Sequence, residues 1–190
     1  MRLFLDSNVL TYIAFFEGYL AEGVGELPSE MGFWEVHQRG GLGDQRRREV
    51  YALRALYLLD DQAHFDFLFS DIALAEIEAI RDATTRRAHY GLLDRLIEHR
   101  AAVYEEEGRA DIARERDARF AVWQSQLPAR MWNDARQLAE ATVVNAYYFL
   151  TNDSDLITRA ARLQSETVAT RPTGLPFLQA ALDEIASNCG

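Results

Sequence analysis

Four acidic residues stand where carboxylates can do chemistry. Asp6 ends the apolar run Leu3-Phe4-Leu5, and Asp153 follows the run from Tyr147 to Thr151. Glu76 and Asp134 lie early in two helix-compatible segments, Asp71 to Ile80 and Asn133 to Ala141. An apolar run leading into an aspartate predicts a buried strand with the carboxylate at its carboxyl end. In open α/β sheets that rim is where ligands bind. Glu76 falls on or beside an apolar stripe, with Ile72, Ala73, Ala79 and Ile80 as helical neighbours, and an ionised carboxylate there needs a partner. Each residue also has an ordinary reading. Asp6 or Ser7 can cap the next helix, and Glu76 can sit half-exposed at the edge of its stripe. Four carboxylates brought to one crevice are another matter, because they repel one another unless cations neutralise them. Oxygen ligands without Cys or His select hard divalent cations, Mg²⁺ first and Mn²⁺ as a substitute. Such ions lower the pKa of a bound water and steer it at phosphorus.

The elements that must position these residues follow from periodicity and punctuation. A strand at Leu3–Leu5 is predicted to be central, since it is apolar throughout. Val9, Leu10, Ile13, Phe16 and Leu20 then mark a helix over residues 8–21. Seven of the eleven glycines lie between Gly18 and Gly43, which predicts an irregular insertion at about 22–44, either a surface excursion or a flap over a site. Asp44 is placed to cap a helix from Gln45 to about Leu59, whose inner stripe is Val50, Leu53, Leu56 and Tyr57. His64 to Ser70 reads as a second strand, followed by the Glu76 helix with Asp71 as its cap. Residues 86–126 are helix-compatible, with Gly91 and Gly108 as expected breaks. Pro128 precedes the Asp134 helix, Tyr147 to Thr151 is a third strand, 154–163 a helix, Glu166 to Thr170 a fourth strand, and 175–185 a last helix. Strands alternating with helices predict a parallel sheet with helices on both faces, in a single domain spanning 1–190.

A net charge of −10 excludes nucleic-acid binding by general basicity. It allows a protein whose acids hold cations that in turn meet phosphates. Cys189 is the sole cysteine, so the sequence has no intrachain disulfide, which fits a cytoplasmic setting. No targeting or transmembrane segment is expected. His89 and His99 lack the companion spacing of a zinc site, and Trp123 and Trp132 read as packing residues. The glycines at 40, 41 and 43 lack the strand and lysine of a phosphate loop.

At these residues the chain resembles the PIN-domain nucleases, many of which are VapC-like toxins of bacterial toxin–antitoxin pairs. The resemblance rests on the strand into Asp6-Ser7-Asn8, Ser70 six positions before Glu76, the helix-opening Asp134 with its alanines, and Thr151-Asn152-Asp153. Arg171-Pro172 leading into Phe177-Leu178 extends it over nearly the whole chain. It implies a three-layer α/β/α sandwich on a sheet of four to five strands. It also implies a metal-dependent endoribonuclease, with RNA as substrate, a small antitoxin as partner and a homodimeric assembly. Carried over, Asp6, Glu76, Asp134 and Asp153 form the metal site with Asp155 as an auxiliary ligand through water. Ser7 or Asn8 orients Asp6, and Thr151 supports the neighbouring strand end. Arg46 to Arg48, Arg86 and Arg87, or Arg159 and Arg162 become candidate phosphate contacts. The span between Asp6 and Glu76 is longer than in the compact toxins.

Two other classes compete. One is a PIN-fold scaffold that binds RNA or protein without cleaving. The other is a phosphotransfer enzyme using Asp6 as nucleophile, against which stands the missing second aspartate two residues after Asp6.

Overall fold

In the computed structural model, residues 1–22 and 43–178 are described. Residues 23–42 of the irregular insertion predicted at about 22–44, and most of the last predicted helix, with Cys189, lie outside the described residues, while Glu22, Gly43 and Asp44 at its ends are helical. Contacts divide the chain into two compact units. One comprises Met1–Phe15 and Phe65–Thr170, and the other Phe16–His64 and the chain from Arg171 onward.

The first unit holds a four-stranded, all-parallel sheet. Its strands are β1 (Arg2–Leu5), β2 (Asp66–Leu68), β3 (Tyr148–Leu150) and β4 (Val168–Thr170), in the order β2-β1-β3-β4. Leu3 pairs with Phe67 on one side and Tyr148 on the other, and Phe149 with Ala169. The central position expected for β1 is observed, with Leu3, Phe4 and Leu5 fully buried. Parallel strands carry side chains into cover on both faces, which an uninterrupted apolar run satisfies and an alternating one does not. At the other extreme, β4 is the edge, and Val168 is exposed.

The strand order reverses direction between β1 and β3. The chain steps from β1 outward to β2, then crosses back past β1 to β3 and on to β4. That reversal is a topological switch point, where the connections leaving the carboxyl ends of β1 and β3 diverge and open a crevice. Asp6 and Asp153 lie just past those two ends.

The helices follow in chain order: α1 (Ser7–Glu22), α2 (Gly43–Ala63), α3 (Asp71–Glu78), α4 (Ala83–Glu107), α5 (Arg109–Gln124), α6 (Trp132–Val143) and α7 (Ser154–Ala160). The first unit's core joins the sheet to α4–α7 through Phe4, Leu68, Trp123, Leu138, Phe149 and Leu156. Phe4 and Phe149 stack at 5.9 Å between ring centroids, adding an aromatic contact to the apolar burial that dominates core energetics. Small residues set the closeness of α6, whose Ala135, Ala139 and Ala141 are fully buried. This content is α/β and mostly helical, an arrangement compatible with a three-layer sandwich. Among the described residues no helix is long and apolar enough to cross a membrane.

In the second unit, Val50, Leu53 and Leu56 of α2 are buried as predicted, and Tyr57 is half-buried. Glu49 is also buried, and it accepts hydrogen bonds from the Thr173 amide and hydroxyl, both at 2.9 Å. Those bonds tie α2 to the short 3-10 turn Pro172–Gly174. A second 3-10 turn, Pro176–Leu178, occupies the start of the helix expected from Leu175.

Several boundaries differ from expectation for local reasons. Helix α2 begins at Gly43, so Asp44 lies inside its first turn, and the helix runs past Asp60 and Asp61 to Ala63. Ser70, not Asp71, caps α3, its hydroxyl accepting from the Ala73 amide at 2.9 Å. Gly91 lies within α4, and a Cβ there would meet nothing within 4 Å, so neither turn nor contact requires glycine. Gly108 is the real break, with φ at +83°, a conformation that glycine adopts at no steric cost.

Candidate active site

Asp6 is almost wholly buried, 1% exposed. Its backbone carbonyl accepts from the amides of Val9 and Leu10 and so opens α1. Its carboxylate has a different set of partners. Oδ2 accepts from the Thr151 hydroxyl at 2.6 Å and from the Asn8 amide, and Oδ1 from the Ser7 hydroxyl at 3.3 Å. Thr151, itself fully buried, also accepts from the Asp153 amide at 3.1 Å. Asn8 Oδ1 accepts from the Asn152 amide at 3.1 Å. The ends of β1 and β3 are thereby laced together through Asn8 and Thr151, while Ser7, the third residue expected to support the site, holds Asp6 alone.

Asp153 caps α7, and its Oδ1 accepts from the amides of Asp155 and Leu156 at 2.7 and 3.1 Å. Asp134 is the third residue of α6, half-buried. Glu76 lies on α3, also half-buried, and accepts from the Asn133 amide at 3.3 Å, which links α3 to the start of α6. Asp155 is exposed and pairs with Arg130 at 2.8 Å.

The electrostatics show that the four carboxylates share a field. The Asp134 carboxyl is pushed up to about 7, first by burial and then by the negative charges of Asp6, Asp153 and Glu76. That of Asp6 is pushed up to about 6 by burial, against the lowering effect of the Thr151 and Ser7 hydrogen bonds, and Glu76 raises it further. Mutual repulsion of this kind marks carboxylates gathered on one side of the sheet without a neutralising partner. Asp155 is not among the charges acting on Asp6 or Asp134.

The donor set suits a hard divalent cation in kind, being four carboxylates with hydroxyl and amide oxygens nearby. Among the described residues, no three Asp, Glu, His or Cys side chains stand close enough to share one ion. Asp6 is held by Thr151 and Asn8, and Asp153 by its capping bonds.

Beside Glu76 runs a groove of about 430 Å³, lined by Asp71, Ile72, Ala75, Ala79 and Asn133 as well. A larger hollow, about 500 Å³, lies at the other end of the strands among Met1, Arg2, Asp66 and Tyr147. None of the four carboxylates lines it, so its size does not make it the site.

Among the predicted phosphate contacts, Arg47, Arg48 and Arg87 are exposed, and Arg86 donates to the Ile80 carbonyl at 2.8 Å. His89 is buried against the Thr11 hydroxyl at 3.0 Å, in keeping with a packing role. Trp123 is buried too, and Trp132 meets Phe120 edge-on.

Three further groups escaped the sequence reading. Gln137, one turn beyond Asp134, is fully buried with neither amide atom hydrogen-bonded. The Asn152 side-chain amide, between Thr151 and Asp153, is likewise without partners. Glu140, on the same helix, is buried and accepts from the Tyr104 hydroxyl and from Arg116 at 3.2 Å. Polar residues at 137 and 140, spaced by three on an alanine-rich helix, were the available signal. No family model, curated protein or solved structure matches the chain.

Proposed function

We propose that this protein is a divalent-metal-dependent endoribonuclease of the PIN type, with its helices layered on both faces of the sheet. The observation that carries the reading is that the charges of Asp6, Asp153 and Glu76 all act on Asp134, with Asp6 and Asp153 just past the ends of β1 and β3. Asp6, Asp134, Asp153 and Glu76 would hold the ion, Mg²⁺ or Mn²⁺, with Asp155 contributing through water. When bound, the ion supplies charge neutralisation, an activated water and stabilisation of the leaving oxygen.

The chain's own residues do the rest. Thr151 and Asn8 fix the orientation of the Asp6 carboxylate, which in their absence would be free to rotate. Asn133 does the same for Glu76. Asp134 has no hydrogen-bond donor among the described residues, which leaves it able to turn toward the crevice and to accept a proton near neutral pH. An RNA phosphodiester is the substrate class this set serves. On the same reading a small antitoxin segment is the natural inhibitor, the working form is a homodimer and the setting is the cytoplasm.

A second reading has one observation in its favour: among the described residues no three ligands close around a single ion. It makes the chain a PIN-fold scaffold that binds RNA or protein and cleaves nothing. The test is incubation of a mixed structured RNA pool with Mg²⁺ or Mn²⁺, using wild type, Asp6→Asn and Asp134→Asn. Metal-dependent cutting by wild type that both variants lose supports the nuclease. A folded wild-type protein that neither binds Mn²⁺ nor cuts leaves the scaffold in its place.

A further inference from the structure

Next to the Glu76 groove, the first unit has a small cleft of about 60 Å³ lined by three arginines, Arg100, Arg109 and Arg116. Arg100 of α4 is 7% exposed. Its Nε donates to the Phe69 carbonyl at 2.8 Å and one Nη2 hydrogen goes to Asp71, while the guanidinium lies 4.3 Å over the Tyr104 ring. Arg116 of α5 uses Nε for Asp117 and Nη1 for Glu140. Arg109, the first residue of α5, is exposed and makes no ion pair or hydrogen bond among the described residues. A guanidinium carries five N–H donors, so each of the three keeps donors to spare. The cleft's carboxylates are Asp71 and Glu140. With Asp117, which pairs with Arg116 at 3.0 Å from outside the cleft, three carboxylates balance the three arginines, so the cleft offers spare N–H donors rather than surplus charge.

Structure alone does not require this gathering. Arg100 packs and bridges, and Arg116 neutralises the buried Glu140, but Arg109 has no structural task there. Asp71 lines both the cleft and the groove that contains Glu76, so the two adjoin. The volume exceeds that needed for a single water and accommodates a small oxyanion. Fork-shaped donors with spare N–H groups are suited to phosphate oxygens.

We infer that the Arg100–Arg109–Arg116 cleft is a phosphate subsite, holding a non-scissile backbone phosphate of a polynucleotide whose chain continues along the Glu76 groove. The inference rests on the nuclease reading for the polynucleotide, and on the cleft alone for the phosphate. Arg109 is the contact that can be removed without disturbing the buried network.

The test uses the full chain carrying Asp134→Asn, so that cutting is suppressed, with and without Arg109→Ala. Anisotropy of a labelled single-stranded RNA is measured over a salt series, and the Tyr104 ring resonances are followed during titration with inorganic phosphate. Weaker RNA binding in Arg109→Ala, with the log–log salt slope reduced by about 0.7, is the expected result. RNA bound equally well with an unchanged slope overturns the subsite. If the parent binds no RNA but inorganic phosphate moves Tyr104 only when Arg109 is present, the phosphate site stands and the nuclease reading falls. Response to neither ligand overturns the inference.

Discussion

Asp134→Asn should make the metal-free protein more stable while abolishing the proposed metal-dependent cleavage. The Asp134 carboxyl sits at about 7 in the fold against an ordinary 3.8. At about 1.36 kcal/mol per pH unit, that difference sets an upper bound of about 4 kcal/mol on the cost of the folded, ionised carboxylate near neutral pH. Its repulsions are shared with Asp6, Glu76 and Asp153, and asparagine is itself polar, so a net gain of about 1–3 kcal/mol is expected. The sign follows from linkage. A carboxyl whose folded pKa is raised contributes stability that is fully present below pH 3.8 and is lost as pH rises through about 7. Between those limits the native state binds more protons than the unfolded chain, so stability falls with pH. Urea melts in EDTA from pH 4 to 8 should therefore show wild type losing stability steadily, with a shallower loss in Asp134→Asn. Asp6, at about 6, remains to supply the residual slope. Added Mg²⁺ should restore the wild type at neutral pH by preferential binding to the folded state, and restore the variant much less. Superimposable pH profiles for the two proteins in EDTA would falsify the shared field on which the site assignment depends.

Other substitutions test the supports around the site. Thr151→Val removes the 2.6 Å bond that lowers the Asp6 carboxyl, so Mn²⁺ binding followed against pH should shift its midpoint upward as protons compete better. Gln137→Met replaces a buried amide that has no partners with an apolar chain of similar length. Denaturant melts should show a gain of about 1–3 kcal/mol, and a loss would instead place an ordered water on that amide. Glu140→Ala strands the Tyr104 hydroxyl and one arm of Arg116, which should lower stability by about 2–4 kcal/mol in the same melts. Tyr104→Phe should cost less, since the carboxylate keeps Arg116.

The readable part of this fold is the part written in contiguous residues. Leu3-Phe4-Leu5 declares a strand buried on both faces because no polar side chain interrupts it, and the aspartate after it marks where the strand must end. Tyr147 to Thr151 with Asp153 repeats that logic. Gly91 misled because a glycine in an exposed stretch of a long helix costs only about 1 kcal/mol, a penalty that the packing of α4 through Leu92, Leu93 and Leu96 outweighs. Ser70 replaced Asp71 as the cap by one position, since Arg100 of α4 claims the Asp71 carboxylate and frees the first-turn amides for the serine.

What local pattern could not carry is pairing between helices. The polar residues at 137 and 140 break the apolar face of α6, and Glu140 is tolerable only because Tyr104 and Arg116, on two other helices, come to meet it. That network fastens α6, the carrier of Asp134, to α4. Through Arg100, α4 in turn holds the end of β2 and the start of α3, the carrier of Glu76. Two of the four carboxylates thus owe their position to strand ends and two to a buried polar web. The strand-end pair should keep its geometry when Glu140 is replaced, whereas the helix-borne pair should not. Mn²⁺ binding to Glu140→Gln therefore separates the two contributions. An affinity equal to wild type would mean that the sheet alone holds the site, and a marked loss with Thr151–Asp6 intact would mean that the helices are set by the web.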